Sequence, residues 1–393
     1  MNKLKCINSL TWGITFLCLL PLSVFAKITH GPYLQAVGEN EVTIVWTTDN
    51  PCVSWVEVAP AGDESFYAKE RPSFYQTRDG NRVTGKLHKV RVTGLTKGTE
   101  YRYRIFSKEV LRYRGQHDVL YGKVFSSDVY NRAPLRFTTI DDKKESLSFV
   151  VVNDIHGRID DLKALCKPVR YGETDLMIFN GDMVSFMIDE TDFFAGFMDE
   201  AVKMFAGEVP VFYARGNHET RGAFNMSFSD YFPSATGKLY YSFRQGPVHF
   251  IVLDSGEDKP DSDIEYSGLA QFDAYRSEQC EWLKQDMQSE SFRTALYRVV
   301  VVHIPPFGDW HGQIDVREKF LPILHQAGIT VMLCGHLHQY IYTEPDNRTH
   351  DYPIVVNAHN TSLEIHADAN GMNVKHQDTS GKELHSYTYR KKD

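Results

Sequence analysis

Beyond residue 146 the chain repeats a pattern that few folds can accommodate: a short run of apolar residues, ended abruptly by Gly, Asp, Asn or His. Such runs are "LSFVVVN" (147–153), "LMIFN" (176–180), "VPVFYAR" (209–215), "HFIVLD" (249–254), "YRVVVVH" (297–303), "TVMLC" (330–334) and "PIVVNA" (353–358). A strand that is apolar on both faces must be covered on both, whereas a half-exposed strand alternates. Between the runs, residues 158–169, 190–206, 277–288 and 316–327 carry apolar residues at helical spacing. Together they predict an α/β region of sheets with helices packed on them.

The preceding segment reads differently. "EVTIVWTT" (41–48), "VSWVEVA" (53–59), "KVRVTGL" (89–95) and "EYRYRIFS" (100–107) alternate with period two and are separated by Gly, Pro, Asn and Asp, as in an antiparallel sandwich. We assign residues 27–140 to this module and residues 146–393 to the α/β region, with the charged "DDKKES" (141–146) as the hinge. Residues 108–132 show no clear period and read as a long hairpin or an insertion. Residues 1–26 hold Lys3 and Lys5, an apolar stretch from Trp12 to Phe25 and small residues before Ala26. This is the layout of a cleaved secretory signal, too short in its apolar part for a membrane anchor, so a secreted or periplasmic protein is expected.

The net charge of -8 and the lack of a long basic run argue against a nucleic-acid polymer as partner. Small anionic substrates stay open, because a bound cation inverts the local field. Cys52, Cys166, Cys280 and Cys334 are widely spaced and form no C-x-x-C pair. They exclude a thiolate zinc site and a dense disulfide framework, leaving one or two disulfides or buried free thiols.

Five of the buried runs end in residue types that bind metals: "NDIHG" (153–157), "NGDMVS" (180–185), "RGNHE" (215–219), "VVHIPP" (301–306) and "CGHLH" (334–338). Loops beyond the carboxyl ends of strands in α/β sheets meet at one crevice. Asp154, His156, Asp182, Asn217, His303, His336 and His338 would therefore converge. A set of imidazoles, carboxylates and one amide suits Zn, Mn or Fe better than calcium. Seven ligands exceed one tetrahedral ion, so two divalent or trivalent ions sharing a carboxylate are expected.

The ordered pattern D-x-H, G-D, G-N-H-[DE], H and G-H-x-H across residues 150–338 resembles that of the calcineurin-like metallophosphoesterases. The resemblance implies a four-layer αββα fold. It assigns Asp154, His156, Asp182 and His338 to one ion, and Asp182, Asn217, His303 and His336 to the other. It also gives His218 the role of stabilising the transition state or protonating the leaving group. The amino-terminal module resembles fibronectin type III domains in "LHKVRVTGLTKGTEYRYRI", and "ITHGPYLQ" (28–35) is similar to the opening of the domain attached to purple acid phosphatases. Those enzymes carry D-x-G and G-D-x-x-Y where this chain has Asp154-Ile155-His156 and Ser185, so the iron-binding tyrosine is missing and a colourless enzyme is expected.

The reaction implied is hydrolysis of a small phosphate ester by a metal-bridging hydroxide, without a phosphoenzyme. Arg158 and Arg215 adjoin the ligands and would either touch phosphate or form ion pairs. Trp310 and His311 in "FGDWHG" (307–312) would either line the substrate pocket or pack as a loop. Phe186, Phe193, Phe194 and Phe197 read as core contacts, and histidines outside the motifs, His30 and His88 among them, as packing residues. The competing reading is a catalytically silent binding or adhesion protein that uses the amino-terminal sandwich. Intact ligand spacing favours the enzyme.

Overall fold

The computed structural model describes residues 27–115, 118–127 and 132–391, so the expected leader at 1–26 lies outside the described residues. The amino-terminal strands are β1 (Ile28–Gln35), β2 (Glu41–Pro60), β3 (Ser73–Tyr75), β4 (Thr77–Arg78), β5 (Asn81–Arg82), β6 (Thr84–Thr93), β7 (Glu100–Arg114), β8 (Asp118–Ser126) and β9 (Leu135–Thr138). All but the β4–β5 ribbon join one hydrogen-bonded network around β2 and β7.

Residues 41–48 and 53–59, expected as separate strands, are two halves of β2. The first half pairs with β6 and the second with β7, and the register shifts between Thr47 and Cys52. Pro51, which has no N–H to give a ladder, stands at that shift. The two halves close on a shared core of Ile44, Trp46, Val56, Val90, Tyr103 and Phe137. The unassigned stretch after residue 108 is largely a hairpin of β7 and β8.

The rest of the described chain supplies β10 (Leu147–Val152), β11 (Leu176–Phe179), β12 (Val211–Tyr213), β13 (Tyr241–Gln245), β14 (Val248–Val252), β15 (Tyr297–Val301), β16 (Val331–Cys334), β17 (Ile341–Thr343), β18 (Ile354–Val356), β19 (Thr361–Ala367), β20 (Met372–Asp378) and β21 (Glu383–Tyr389). They form two sheets, ordered β12-β11-β10-β19-β20-β21 and β13-β14-β15-β16-β18-β17. Strands β10–β12 run parallel, as do β14, β15, β16 and β18.

Alternate residues of each strand face different layers, which explains why the runs are apolar throughout. Phe149, Val151, Ile178, Phe250, Val299, Val301 and Leu333 meet between the sheets. Val150, Val152, Met177 and Phe179 turn outward onto Leu162, Phe193, Phe197 and Phe205. On the opposite outer face Ile251, Val300, Val302 and Met332 meet Leu283, Val316, Phe320 and Leu324. The result is a four-layer αββα sandwich with an amino-terminal β-sandwich. Each such side chain removed from water contributes about 1.5–3 kcal/mol, which fixes the strand ends rigidly.

The helices Ile159–Leu165, Phe272–Asp286 and His311–Leu324 fall within or near their expected spans. The span 190–206 is helical but contains two π-turns, Phe194–Met198 and Val202–Ala206. The two modules meet through named contacts: His30 stacks on Phe194 at 3.8 Å, Tyr33 Oη donates to Tyr231 O at 2.9 Å and Tyr103 Oη to Gly207 O at 2.6 Å. Cys52, Cys166, Cys280 and Cys334 are free thiols. No helix among the described residues is long and apolar enough to cross a membrane.

Candidate metal centre

The loops beyond β10, β11, β12, β15 and β16 meet at one end of the two sheets. Residues 154–157 run beside 181–183, with Asp154 N donating to Gly181 O at 2.9 Å, His156 N to Asp182 O at 3.0 Å and Gly157 N to Met183 O at 3.0 Å. Asp154, His156, Asp182, His336 and His338 all have positive φ, between 48° and 73°. Non-glycine residues avoid this region, and backbone strain of this kind clusters at functional sites. Gly335 permits the approach of β16: a Cβ there would lie 2.8 Å from Asp154 Oδ2 and 3.0 Å from Asn153 Nδ2.

Three sets of side chains each bring their donor atoms within 4.8 Å of one another: Asp154, His156 and His338; His156, Asp182 and His218; and Asp182, His303 and His336. His338 Nε2 lies 3.2 Å from Asp154 Oδ1, and His303 Nε2 lies 3.0 Å from Asp182 Oδ2. Asn217 Oδ1 is 3.0 Å from His336 Nδ1. Asp154 Oδ1 and His303 Nε2 are buried without a hydrogen-bond partner. Leaving buried polar atoms unmatched costs about 1–3 kcal/mol each, and a cation among these donors removes that cost. The residues therefore fit a metal.

The electrostatics agree. Burial opposes the charge of Asp154, yet the nearby imidazoles of His156 and His303 hold its carboxyl far below the usual range. Asp182 is lowered against the same opposition, chiefly by His303. Burial pulls His303 down, but Asp182 and Asp154 outweigh it and raise the imidazole to about 10. Two buried carboxylates thus create a field that stabilises positive charge.

Surrounding residues fix the donors. His303 Nδ1–H donates to Asn180 O at 2.7 Å, leaving Nε2 to face the cluster. Asn153 Nδ2 donates to Asp154 Oδ2 at 2.6 Å and to Asn357 O at 2.9 Å. Glu219, fully buried, accepts from Gly216 N at 2.9 Å, Asp182 N at 2.9 Å, Met183 N at 2.7 Å and Tyr213 Oη at 2.8 Å. It clamps the "NGDM" and "GNHE" loops together. Burial, then the charge of Asp182, raises its carboxyl above the ordinary value. The strand-end motifs contain Asn153, Asn180 and Glu219, and Asn357 ends a further apolar run, but none of the four is among the expected ligands. Their placement at strand ends, beside the ligand candidates, is the signal that points to them.

The other candidates lie as follows. His218 Nδ1–H donates to Ser185 O at 2.8 Å, and its Nε2 is 3.9 Å from Asp182 Oδ2. Ser185 Oγ, at the position of the missing tyrosine, lies 3.5 Å from His156 Nδ1. Arg215 Nε is 2.9 Å from Asp254 Oδ2 in a buried ion pair. Arg158 binds Asp161 Oδ2 at 2.8 Å and the carbonyls of Asp154 and His359 at 2.5 and 3.3 Å. Both arginines form ion pairs within the protein. His311 Nε2 pairs with Asp273 Oδ1 at 2.8 Å, outside the His/Asp cluster, while Trp310 is 53% exposed at the start of the helix His311–Leu324. Phe193, Phe194 and Phe197 are buried as expected, but Phe186 is exposed, with its ring 6.3 Å from His218. It follows the cluster loop directly and cannot turn inward with the helix that carries the others.

Residues 147–340 match the calcineurin-like phosphoesterase family, and residues 30–129 match the purple acid phosphatase N-terminal domain. The chain thus carries a calcineurin-like phosphoesterase domain preceded by a purple acid phosphatase N-terminal domain. Purple acid phosphatase 15 of Arabidopsis thaliana is 26% identical over 307 residues, covering 70% of this chain and 52% of that protein. Purple acid phosphatase 18 of the same plant is 23% identical over 368 residues, 86% of this chain and 77% of its own length. The structure of a purple acid phosphatase from yellow lupin (Lupinus luteus) seeds superposes with a TM-score of 0.62 at 15% identity, covering 91% of this chain and 73% of that one, a likeness of fold. The chain thus spans about half the length of the first of these relatives and about three quarters of the second.

Proposed function

We propose that this chain is a metal-dependent phosphoric ester hydrolase acting on small phosphate esters. The observation that carries this reading is the convergence of Asp154, Asp182, His156, His303, His336, His338 and Asn217, with Asp154 Oδ1 and His303 Nε2 left buried and unmatched. Asp182 belongs to two of the three sets and is the carboxylate to be shared. Asp154, His156 and His338 would complete one ion site, and Asn217, His303 and His336 the other. Two transition-metal ions, Fe, Zn or Mn, would when bound polarise the phosphoryl group and lower the pKa of water between them.

The remaining work falls to the chain. Glu219 holds the backbone of Asp182 in place, and Asn180 orients His303. His218, fixed through Nδ1–H, presents Nε2 toward the cluster and would stabilise the transition state or protonate the departing oxygen. Ser185 in place of a phenol offers no tyrosinate ligand, which supports a colourless centre. Residues 27–140 would form a supporting module and 146–393 the catalytic one. The apolar stretch 12–25 supports export to the periplasm or medium.

The test is turnover of p-nitrophenyl phosphate and its bis-ester after chelation and restoration of Mn, Zn or Fe. Metal-restored hydrolysis of either upholds the reading. Absence of turnover on both, and on a wider ester panel, contradicts it.

A further inference from the structure

Three arginines flank the cluster: Arg158 bonds Asp161 and two backbone carbonyls through Nε and NH2, and Arg215 faces Asp254 through Nε. Arg221 differs. Its Nε lies 2.8 Å from Glu257 Oε1 and its NH2 2.9 Å from Glu257 Oε2, a bidentate pair that fixes the guanidinium plane. Glu257 is buried and also accepts from Thr220 Oγ1 at 2.8 Å and Tyr266 Oη at 3.1 Å. The fork is therefore anchored from behind. Its remaining nitrogen, NH1, points the other way and approaches His218 Nε2 at 3.3 Å. His218 Nδ1 gives its hydrogen to Ser185 O, so Nε2 is the atom that faces both Arg221 and Asp182. The Arg221 side chain remains 26% exposed, beside a His218 side chain that is 24% exposed.

We infer that Arg221 is a substrate-contacting, specificity-determining residue whose NH1 grips a peripheral phosphoryl oxygen and favours phosphate monoesters over diesters. The inference rests on the phosphohydrolase reading and extends it to substrate class. A monoester presents three peripheral oxygens and up to two negative charges, and a diester presents two oxygens and one charge. A charged donor beside His218, at the edge of the His/Asp cluster, adds a contact that the monoester can use more fully. Arginine suits this position because its planar fork binds Glu257 with one edge and still offers hydrogens from the other. The pairing is legible only in three dimensions, since Glu257 lies in the loop after β14, 36 residues from Arg221.

The experiment uses the metal-restored full chain and compares wild type, R221Q and R221K on p-nitrophenyl phosphate and bis-p-nitrophenyl phosphate. Calorimetric titration with inorganic phosphate and metal content are measured alongside. R221Q is expected to lower kcat/KM about 30-fold on the monoester and about 3-fold on the diester, from the strength of a hydrogen bond to a charged group. Phosphate affinity should fall about tenfold, with metal content unchanged. R221K, which keeps the charge but loses the fork, should fall between. Equal losses on both esters, or unchanged phosphate affinity, would overturn the inference. If R221Q fails to fold, R221K alone decides: a shift of the ester ratio toward the diester upholds the assignment and an unchanged ratio overturns it. A wild-type protein inactive on both esters and on a wider ester panel would instead remove the phosphohydrolase reading, so the two failures are distinguishable.

Discussion

His156 and His338, 182 residues apart in the sequence, bring their Nε2 atoms to 3.1 Å, and both nitrogens face Asp154 Oδ1. Packing alone does not favour two imidazole nitrogens and a buried carboxylate oxygen in one place. A shared cation does. Truncating His338 to alanine removes a half-exposed ring, so the fold should survive. The expected outcome is loss of about one metal equivalent per chain and of at least about 100-fold in turnover, a ligand counting for no less than the residues that orient it. Elemental analysis together with p-nitrophenyl phosphate kinetics checks it.

Glu219 gathers three backbone N–H groups and the Tyr213 hydroxyl within 2.9 Å. In Glu219→Ala these buried donors lose their acceptor, and the two loops that carry Asp182 and Asn217 lose their clamp. The chain should be destabilised by about 3 kcal/mol or more, read as a lower urea midpoint. Metal affinity should fall even where the protein stays folded, since the carboxylate of Asp182 is no longer held in place.

Gly335 offers a sharper separation of site from fold. A methyl group there would press on Asp154 Oδ2 and Asn153 Nδ2. Gly335→Ala should keep the far-ultraviolet spectrum of the wild type while metal content and activity drop together.

His88 carries a pH dependence remote from the metal centre. It is buried beside Trp46 and bonded to Thr48 Oγ1 at 2.9 Å, and burial lowers it to about 4 from an ordinary value of 6.5. The unfolded chain then binds the extra proton between these values and the folded chain does not. The neutral ring's contribution is fully present above pH 6.5 and is lost as pH falls toward 4, about 3 kcal/mol in all. Denaturant midpoints followed by tryptophan fluorescence should fall less between pH 7 and 4.5 in His88→Gln than in wild type.

What the sequence reveals follows from the range of the interactions. The strand-end motifs are legible because each ligand sits within a few residues of the apolar run that delivers it. Where those ends meet is legible too, because parallel strands deliver their carboxyl ends to one edge. The antiparallel meander β19–β21 is less visible: its strands mix Lys375, His376, His385 and other polar residues with apolar ones, since one face alone is covered. β2 reads as two strands because Asn50 and Pro51 look like a turn where the structure has a bend. The Glu219 clamp and the Arg221–Glu257 pair depend on loops 36 or more residues apart. No local pattern marks such partners.

The two-ion account turns on Asp182, whose carboxylate Oδ2 lies 3.0 Å from His303 Nε2 and 4.0 Å from His156 Nε2. Elemental analysis of wild type and Asp182→Asn, purified in parallel and assayed on p-nitrophenyl phosphate, tests it directly. Wild type should hold about two metal equivalents per chain, and the variant should lose at least one of them with at least about 100-fold of turnover. An Asp182→Asn protein with undiminished metal content and unchanged turnover would contradict the shared-carboxylate centre.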